Sequence, residues 1–101
     1  MNPADCSTMA EVRAGVDAVD ETLVTLFARR FAYMDAAARI KTERAAVRDE
    51  ARKTQVINNV RMAASKTNMP AELIAELWDR LVEASIVYEL EAWDRNNANP
   101  V

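Results

Sequence analysis

Histidine is absent from this chain of 101 residues, and glycine and cysteine occur once each. Without histidine there is no imidazole base, no Ser-His triad and no zinc site with a histidine ligand. A single glycine, Gly15, excludes the glycine-rich loops of Rossmann and P-loop nucleotide sites. The lone thiol of Cys6 forms neither an intrachain disulfide nor a multi-thiolate metal site, and it fits the reducing cytoplasm. The composition therefore excludes these two kinds of nucleotide site and metal sites built from histidine or several thiolates.

Long hydrophobic runs and a basic surface are also missing. No apolar stretch approaches the roughly 18 residues of a membrane span, and the first residues lack the pattern of a signal peptide. The net charge of −3 argues against nucleic acid as a partner, because contacts to phosphates need a basic surface. We expect no membrane and no nucleic-acid partner.

Helix-forming residues are abundant, and their spacing predicts an all-α fold with three helices. The second helix is predicted over about residues 49–65, with Asp49 as its cap. The third helix has Pro70 as its first helical position and frays in the tail, 96–101. With no long linker, we expect one domain over residues 1–101, preceded by a short extension at 1–7.

The first helix is predicted to be far longer than the other two. Thr8 and Glu11 have the spacing of a capping box, and nothing breaks the helix before Ala46. About 38 residues span about 57 Å, whereas a compact domain of this size has a radius of gyration of about 13 Å. The helix has an apolar seam, with steps of three and four residues, formed by Val12, Val16, Val19, Leu23, Leu26, Tyr33, Ala37 and Ile40.

Two short helices cannot cover such a seam, so a second copy of the chain is expected alongside it. The result is an intertwined homodimer. The alternative is a kink near residues 36–38 that folds the first helix back into a monomeric bundle.

Three basic residues of this region suggest an anion site. Arg30 lies in the apolar seam, and Lys41 lies eleven residues later, so both side chains point the same way about 16 Å apart. A small dianion fits between them; the alternative is two solvated charges. Arg13 is too far along a straight helix to join them, but Arg13 of an antiparallel second chain can reach Arg30.

Two further pairs have the spacing of site residues. Ser85 and Glu89 share a face of the third helix, and Glu89 is either an exposed ion-pair partner or a carboxyl group in a cationic pocket. Asp49 and Arg52 either cover the mouth of that pocket or form a surface ion pair.

These residues together resemble the all-helical (AroQ-type) chorismate mutase family over about residues 8 to 93. The resemblance is carried by an ordered set of motifs: Glu11-Val12-Arg13, Val16-Asp17-x-x-Asp20, Leu26-x-x-Arg29-Arg30, Lys41, Val47-Arg48-Asp49-x-x-Arg52 and Ser85-x-x-x-Glu89.

The resemblance implies an intertwined dimer with two sites for a dianionic substrate, each built from both chains. Arg13 of one chain and Arg30 of the other would bind the carboxylates of chorismate. Lys41 would contact a carboxylate and the ether oxygen of the breaking bond, and Glu89 would donate a hydrogen bond to that oxygen. The remaining lining would consist of Asp49, Arg52, Ser85, Val56 and Ile86. The rearrangement to prephenate needs no nucleophile, cofactor or metal.

The sequence departs from the mutase pattern at two positions. Bacterial members commonly have glutamine where this chain has Glu89, so Glu89 must be protonated to act as a donor. Where the mutases often have a glutamate that contacts the ring hydroxyl, this chain has Lys53.

Other residues resemble a branch of the family, the isochorismate-pyruvate lyases, which release salicylate and pyruvate. They are Pro3-x-Asp5-Cys6 and Tyr88-Glu89 with Trp93, whereas Arg48-Asp49 and Ser85 favour a mutase. We expect a chorismate mutase. The alternatives are the lyase with weak mutase activity, a mutase for an amino-substituted chorismate, and a non-enzymatic helical dimerisation module.

Overall fold

The computed structural model describes residues 1–98, which fall into two compact units, Met1–Tyr33 and the described part of Met34–Val101. Three helices are present: α1 (Met9–Ile40), α2 (Glu50–Lys66) and α3 (Ala71–Asn96), with short 3-10 turns at Pro3–Asp5 and Arg44–Ala46. No strand occurs among residues 1–98, so the prediction of an all-α fold with three helices is confirmed. That the chain is one domain stays a prediction, and residues 99–101 of the expected tail lie outside the described residues.

The start of α1 has the predicted cap. The Thr8 hydroxyl oxygen accepts the backbone N–H of Glu11 at 3.2 Å, and it donates to the Glu11 carboxylate at 3.0 Å. The same carboxylate accepts the backbone N–H of Ser7 at 3.2 Å. The hydrogen bond from the Thr8 hydroxyl, together with those from Ser7, lowers the pKa of Glu11. Orphan donors at the helix start are thus satisfied, as a capping box requires.

The apolar seam of α1 is largely exposed in the single chain. In the first unit Val16 is 52% and Leu26 is 54% exposed, and Val12, Val19 and Leu23 are exposed as well. In the second unit α1 continues through residues 36–38 without a break, and Ala38 is buried. The alternative of a kink at this point is therefore wrong.

The end of α1 differs from the prediction, because the helix stops at Ile40 instead of reaching Ala46. Contacts with α3 hold the residues that follow in another path. The Arg44 guanidinium donates to the Asp94 carboxylate at 2.8 and 3.2 Å, and the side chain of Val47 is buried in the core. Tertiary contacts here outweigh the helix propensity of residues 44–46.

The second helix begins at the predicted cap: the Asp49 carboxylate accepts the backbone N–H of Arg52 at 3.0 Å. It ends in a Schellman motif, in which the Met69 N–H donates to the Ala64 carbonyl at 2.9 Å. Asn68 occupies the left-handed position of that motif, with φ of 58°. The third helix begins at Ala71, one residue later than predicted. Pro70 is therefore its N-cap and not its first helical residue.

The core of the second unit lies between α2 and α3. It consists of Val47, Ile57, Ala75, Val82 and Ile86, with Val56, Trp78, Leu90 and Trp93 packed against it. Val47 belongs to the segment between α1 and α2, and its burial fixes that segment to the helix pair. The core therefore determines where the chain between Lys41 and Asp49 runs.

This packing predicts that Val47→Ala lowers the free energy of unfolding by about 2 kcal/mol, because buried methyl groups are lost and a cavity remains. Thermal and urea unfolding measure the change. The matched control is Val87→Ala, at a position that is 56% exposed, where a change within about 0.5 kcal/mol is expected. Equal effects of the two substitutions would contradict the placement of Val47 in the core.

Candidate functional site

The centre of the candidate site is an ion pair between the first residue after α1 and a residue in the C-terminal third of α3. The Lys41 ammonium donates to the Glu89 carboxylate, with Nζ 2.7 Å from Oε2. The side chain of Glu89 is 5% exposed, whereas that of Lys41 is 29% exposed. The carboxylate is thus enclosed by the fold, while the ammonium keeps access to solvent.

The surroundings of Glu89 on α3 are also closed. Ser85 lies one turn earlier and is buried, and its hydroxyl donates to the Leu81 carbonyl at 2.7 Å. Ile86 belongs to the core, and Val56 packs against that core from α2. Of the predicted lining residues, Ser85 and Ile86 therefore lie in the buried interior of the second unit, and Val56 is partly buried against it.

Two hydrogen bonds from α3 hold the end of α1 beside this ion pair. The Tyr88 hydroxyl donates to the Asp35 carboxylate at 3.0 Å, and this hydrogen bond raises the pKa of Tyr88. The Trp93 indole N–H donates to the Lys41 carbonyl at 3.1 Å. Because Asp35 pairs with Tyr88 and Lys41 with Trp93, this part of α1 and α3 run in the same direction.

Ion pairs fasten the segment after α1, and the start of α2, to α3. The Arg48 guanidinium donates to Glu83 at 2.8 Å and to Glu50 at 2.9 Å. The Lys53 ammonium lies 2.9 Å from Asp79 and 3.4 Å from Glu83. The hydrogen bond from Arg48 lowers the pKa of Glu83, and the hydrogen bond to Asp79 raises the pKa of Lys53.

These contacts give Lys53, the departure from the mutase pattern, a structural role. Its ammonium connects α2 to α3 through Asp79 and Glu83. The bonds to these carboxylates draw it toward the helix pair, where it neutralises acidic residues of α3.

Asp49 and Arg52 meet in the structure, but through the backbone of Arg52. The Asp49 carboxylate caps α2, and the Arg52 guanidinium donates instead to the side-chain oxygen of Gln55 at 2.7 Å. Asp49 and Arg52 are both exposed. This explains the spacing of the pair as a helix cap, and their position at the mouth of a pocket stays a prediction.

Arg13 and Arg30 belong to the first unit. Arg13 is exposed, and Arg30 is half-buried. Of the residues predicted for the site, the structure joins Lys41 directly to Glu89. The roles of the two arginines in binding an anion stay predictions.

Sequence reasoning missed the contacts that hold Lys41 in place. The sequence predicts Trp93 as a core side chain and a lyase-like residue, and it does not single out Asp35. The spacing of Trp93, four residues after Glu89, is a usable signal, because residues i and i+4 share a helix face. Arg44 carries no such signal, since a continued helix is predicted there, and Val47 falls in the predicted break between the first two helices.

The described residues offer no obvious metal site, because residues 1–98 contain no group of three His, Cys, Asp or Glu side chains placed to hold an ion. Within the same residues, no helix is both long and apolar enough to cross a bilayer.

Comparison with known proteins assigns the class of protein. A sequence model of the family described as "Chorismate mutase type II" matches residues 12–90. The chain belongs to this family, which confirms the resemblance found in the sequence. It is also 25% identical to an isochorismate pyruvate lyase from Pseudomonas aeruginosa over 91 residues, which cover 90% of each chain. The protein is an enzyme of this class.

Proposed function

We propose that the protein is a chorismate mutase, which rearranges chorismate to prephenate. The observation that carries the proposal is the Lys41–Glu89 ion pair, in which Nζ lies 2.7 Å from Oε2. The ammonium of Lys41 is accessible to solvent, whereas the carboxylate of Glu89 is buried. In a member of this family, such a pair would provide the donor that the ether oxygen needs.

The reaction suits a site that provides charge and shape alone. In the [3,3] rearrangement one C–O bond breaks while one C–C bond forms, so no nucleophile or base is involved. The protein has to hold the dianion in its folded conformer and place donors where negative charge grows on the ether oxygen. Lys41 would be one donor. Glu89 would be the other in its protonated form, whose hydroxyl donates to the ether oxygen while its second oxygen still accepts from Lys41, and Arg30 would bind a carboxylate.

A second copy of the chain would complete the site. The exposed seam of α1 supports this part of the proposal, because residues such as Val16 and Leu26 leave an apolar stripe for another helix. In an intertwined homodimer Arg13 of one chain would bind the substrate together with Arg30 of the other. Each dimer would then contain two equivalent sites.

The second candidate is an isochorismate pyruvate lyase, and the relative from Pseudomonas aeruginosa favours it. The same cationic residues would bind isochorismate. The ether C–O bond would break while a hydrogen moves from the ring carbon that carries the hydroxyl to the methylene carbon of the enolpyruvyl group, which releases pyruvate and leaves salicylate. Lys53 also fits this candidate, because a lysine stands where the mutases often have the glutamate that contacts the ring hydroxyl.

A direct assay decides between the two reactions. Purified protein is incubated separately with chorismate and with isochorismate, and prephenate and salicylate are measured. Prephenate from chorismate is the expected result. Salicylate from isochorismate without prephenate would replace the mutase proposal by the lyase. If neither product forms, the remaining candidates are a mutase for an amino-substituted chorismate and a dimerisation module.

Arg30→Ala makes the same assay a test of the site. Loss of one donor to the substrate is worth about 3 to 4 kcal/mol, so kcat/KM should fall by two to three decades. A dimerisation module should instead keep or gain stability, since a charge is removed from its seam. The control is Arg39→Ala, an exposed position near the end of the same helix, which should retain activity.

Glu89→Gln tests the donor that is proposed at this position. A carboxylate cannot donate a hydrogen bond to an ether oxygen, whereas the amide of glutamine can. Mutase kcat should therefore be kept or raised in Glu89→Gln, whereas Glu89→Leu, which has no donor, should lower kcat by about two to three decades. Initial rates with chorismate check this; equal rates of the two variants would remove Glu89 from the proposed role.

Sharing of the site between chains predicts complementation. Arg13→Ala and Lys41→Ala chains should each be nearly inactive alone. After joint unfolding and refolding, half of the dimers would be mixed and each would have one intact site, so about a quarter of the sites should work. Mixing without unfolding is the control. Activity that stays at the level of the separate variants would show that Arg13 and Lys41 serve the same chain's site.

A further inference from the structure

The carbonyl of Lys41 is held by a side chain from another helix. The backbone N–H of Lys41 donates to the Ala37 carbonyl at 2.9 Å, which continues the helical pattern of α1. Its carbonyl belongs to the last turn, where carbonyls have no intrahelical donor. The Trp93 indole N–H supplies that donor at 3.1 Å. Trp93 thus occupies the acceptor that a continued helix would use for the N–H of Ala45.

The same helix holds the other end of Lys41. Glu89 accepts from the ammonium at 2.7 Å, and Trp93 donates to the carbonyl at 3.1 Å. Glu89 and Trp93 are four residues apart on α3 and therefore lie one above the other on one face. Residues of α3 thus bind Lys41 at its backbone carbonyl and at its ammonium, so both ends of the side chain are held in place.

We propose that Trp93 is a positioning residue for Lys41. By holding the Lys41 carbonyl, its indole N–H keeps α1 from extending toward Ala46 and places the ammonium on Glu89. This role rests on the proposed function, in which Lys41 is a donor to the substrate. A displacement of about 1 Å in such a group can cost a hundredfold in rate.

A purely apolar role for Trp93 is the competing explanation, and the chain offers a matched comparison. Trp78 also lies on α3, is half-buried and packs against the same core. Among residues 1–98 its indole N–H has no hydrogen-bond partner. Phenylalanine at either position keeps an aromatic ring in the core, but only Trp93→Phe removes a hydrogen bond.

The kinetic test compares the two substitutions. Trp93→Phe should lower kcat by about 10- to 100-fold while KM changes by less than about threefold. The reason is that the displaced Lys41 ammonium would no longer stabilise the negative charge that grows on the ether oxygen in the transition state. Trp78→Phe should change kcat by less than about threefold. Equal effects of the two variants on kcat would overturn the proposal.

A second measurement does not depend on activity. The chain has three lysines, Lys41, Lys53 and Lys66, so side-chain ammonium NMR gives few signals, and Lys41→Arg assigns that of Lys41. Trp93→Phe should shift this signal and leave that of Lys53 unchanged, whereas Trp78→Phe should shift neither. An unchanged Lys41 signal in Trp93→Phe would overturn the proposal.

If the natural protein converts neither acid, the proposed function fails, and the NMR comparison still decides whether Trp93 positions Lys41.

A variant that preserves the shape of the indole covers a failure of Trp93→Phe to fold. In the Trp78→Phe protein the single remaining tryptophan is replaced biosynthetically by benzothienylalanine, which has sulfur in place of the indole N–H. The same shift of the Lys41 signal and the same loss of kcat are expected. Retention of both would show that packing alone explains Trp93.

Discussion

The ion pair of Lys41 and Glu89 imposes the strictest demand on the fold. A carboxylate that is 5% exposed has lost most of its hydration, and an unpaired charge in that position would cost several kcal/mol. The Lys41 ammonium supplies its partner charge, and because Lys41 is the first residue after α1, the end of α1 lies beside the C-terminal third of α3. The contacts of Asp35 with Tyr88 and of Lys41 with Trp93 fix that end. The contacts that keep the Lys41 ammonium on Glu89 therefore also hold the end of α1 in place.

The segment between α1 and α2 follows from the same constraint. Once the helix stops at Ile40, the chain has to return to the start of α2, and the burial of Val47 anchors the path. Arg44 and Arg48 add ion pairs to Asp94 and Glu83 at the surface. Exposed pairs of this kind contribute little each, so the buried side chain of Val47 is the stronger anchor.

The sequence predicted what depends on local chemistry and missed what depends on contacts between helices. The cap formed by Thr8 and Glu11, and the one formed by Asp49, follow from side chains a few residues away. The end of α1 does not, because residues 41–46 are good helix formers that only α3 redirects. The site shows the same division: the shared face of Ser85 and Glu89 was predictable, whereas the hydrogen bond from Trp93 to Lys41 joins residues 52 positions apart.

Under the proposed function, the ion pair serves binding more than stability. Replacement of a buried ion pair with apolar side chains is often neutral or stabilising, so a folded helix pair does not need one. Here one partner is buried and the other is open to solvent. An ammonium has three N–H donors, and Glu89 occupies one of them. The remaining donors of Lys41 are held in place because Trp93 binds its carbonyl and Glu89 binds its ammonium. Such preorganised donors stabilise developing negative charge without reorganising during the reaction, which is the requirement of a rearrangement catalysed by electrostatics and shape.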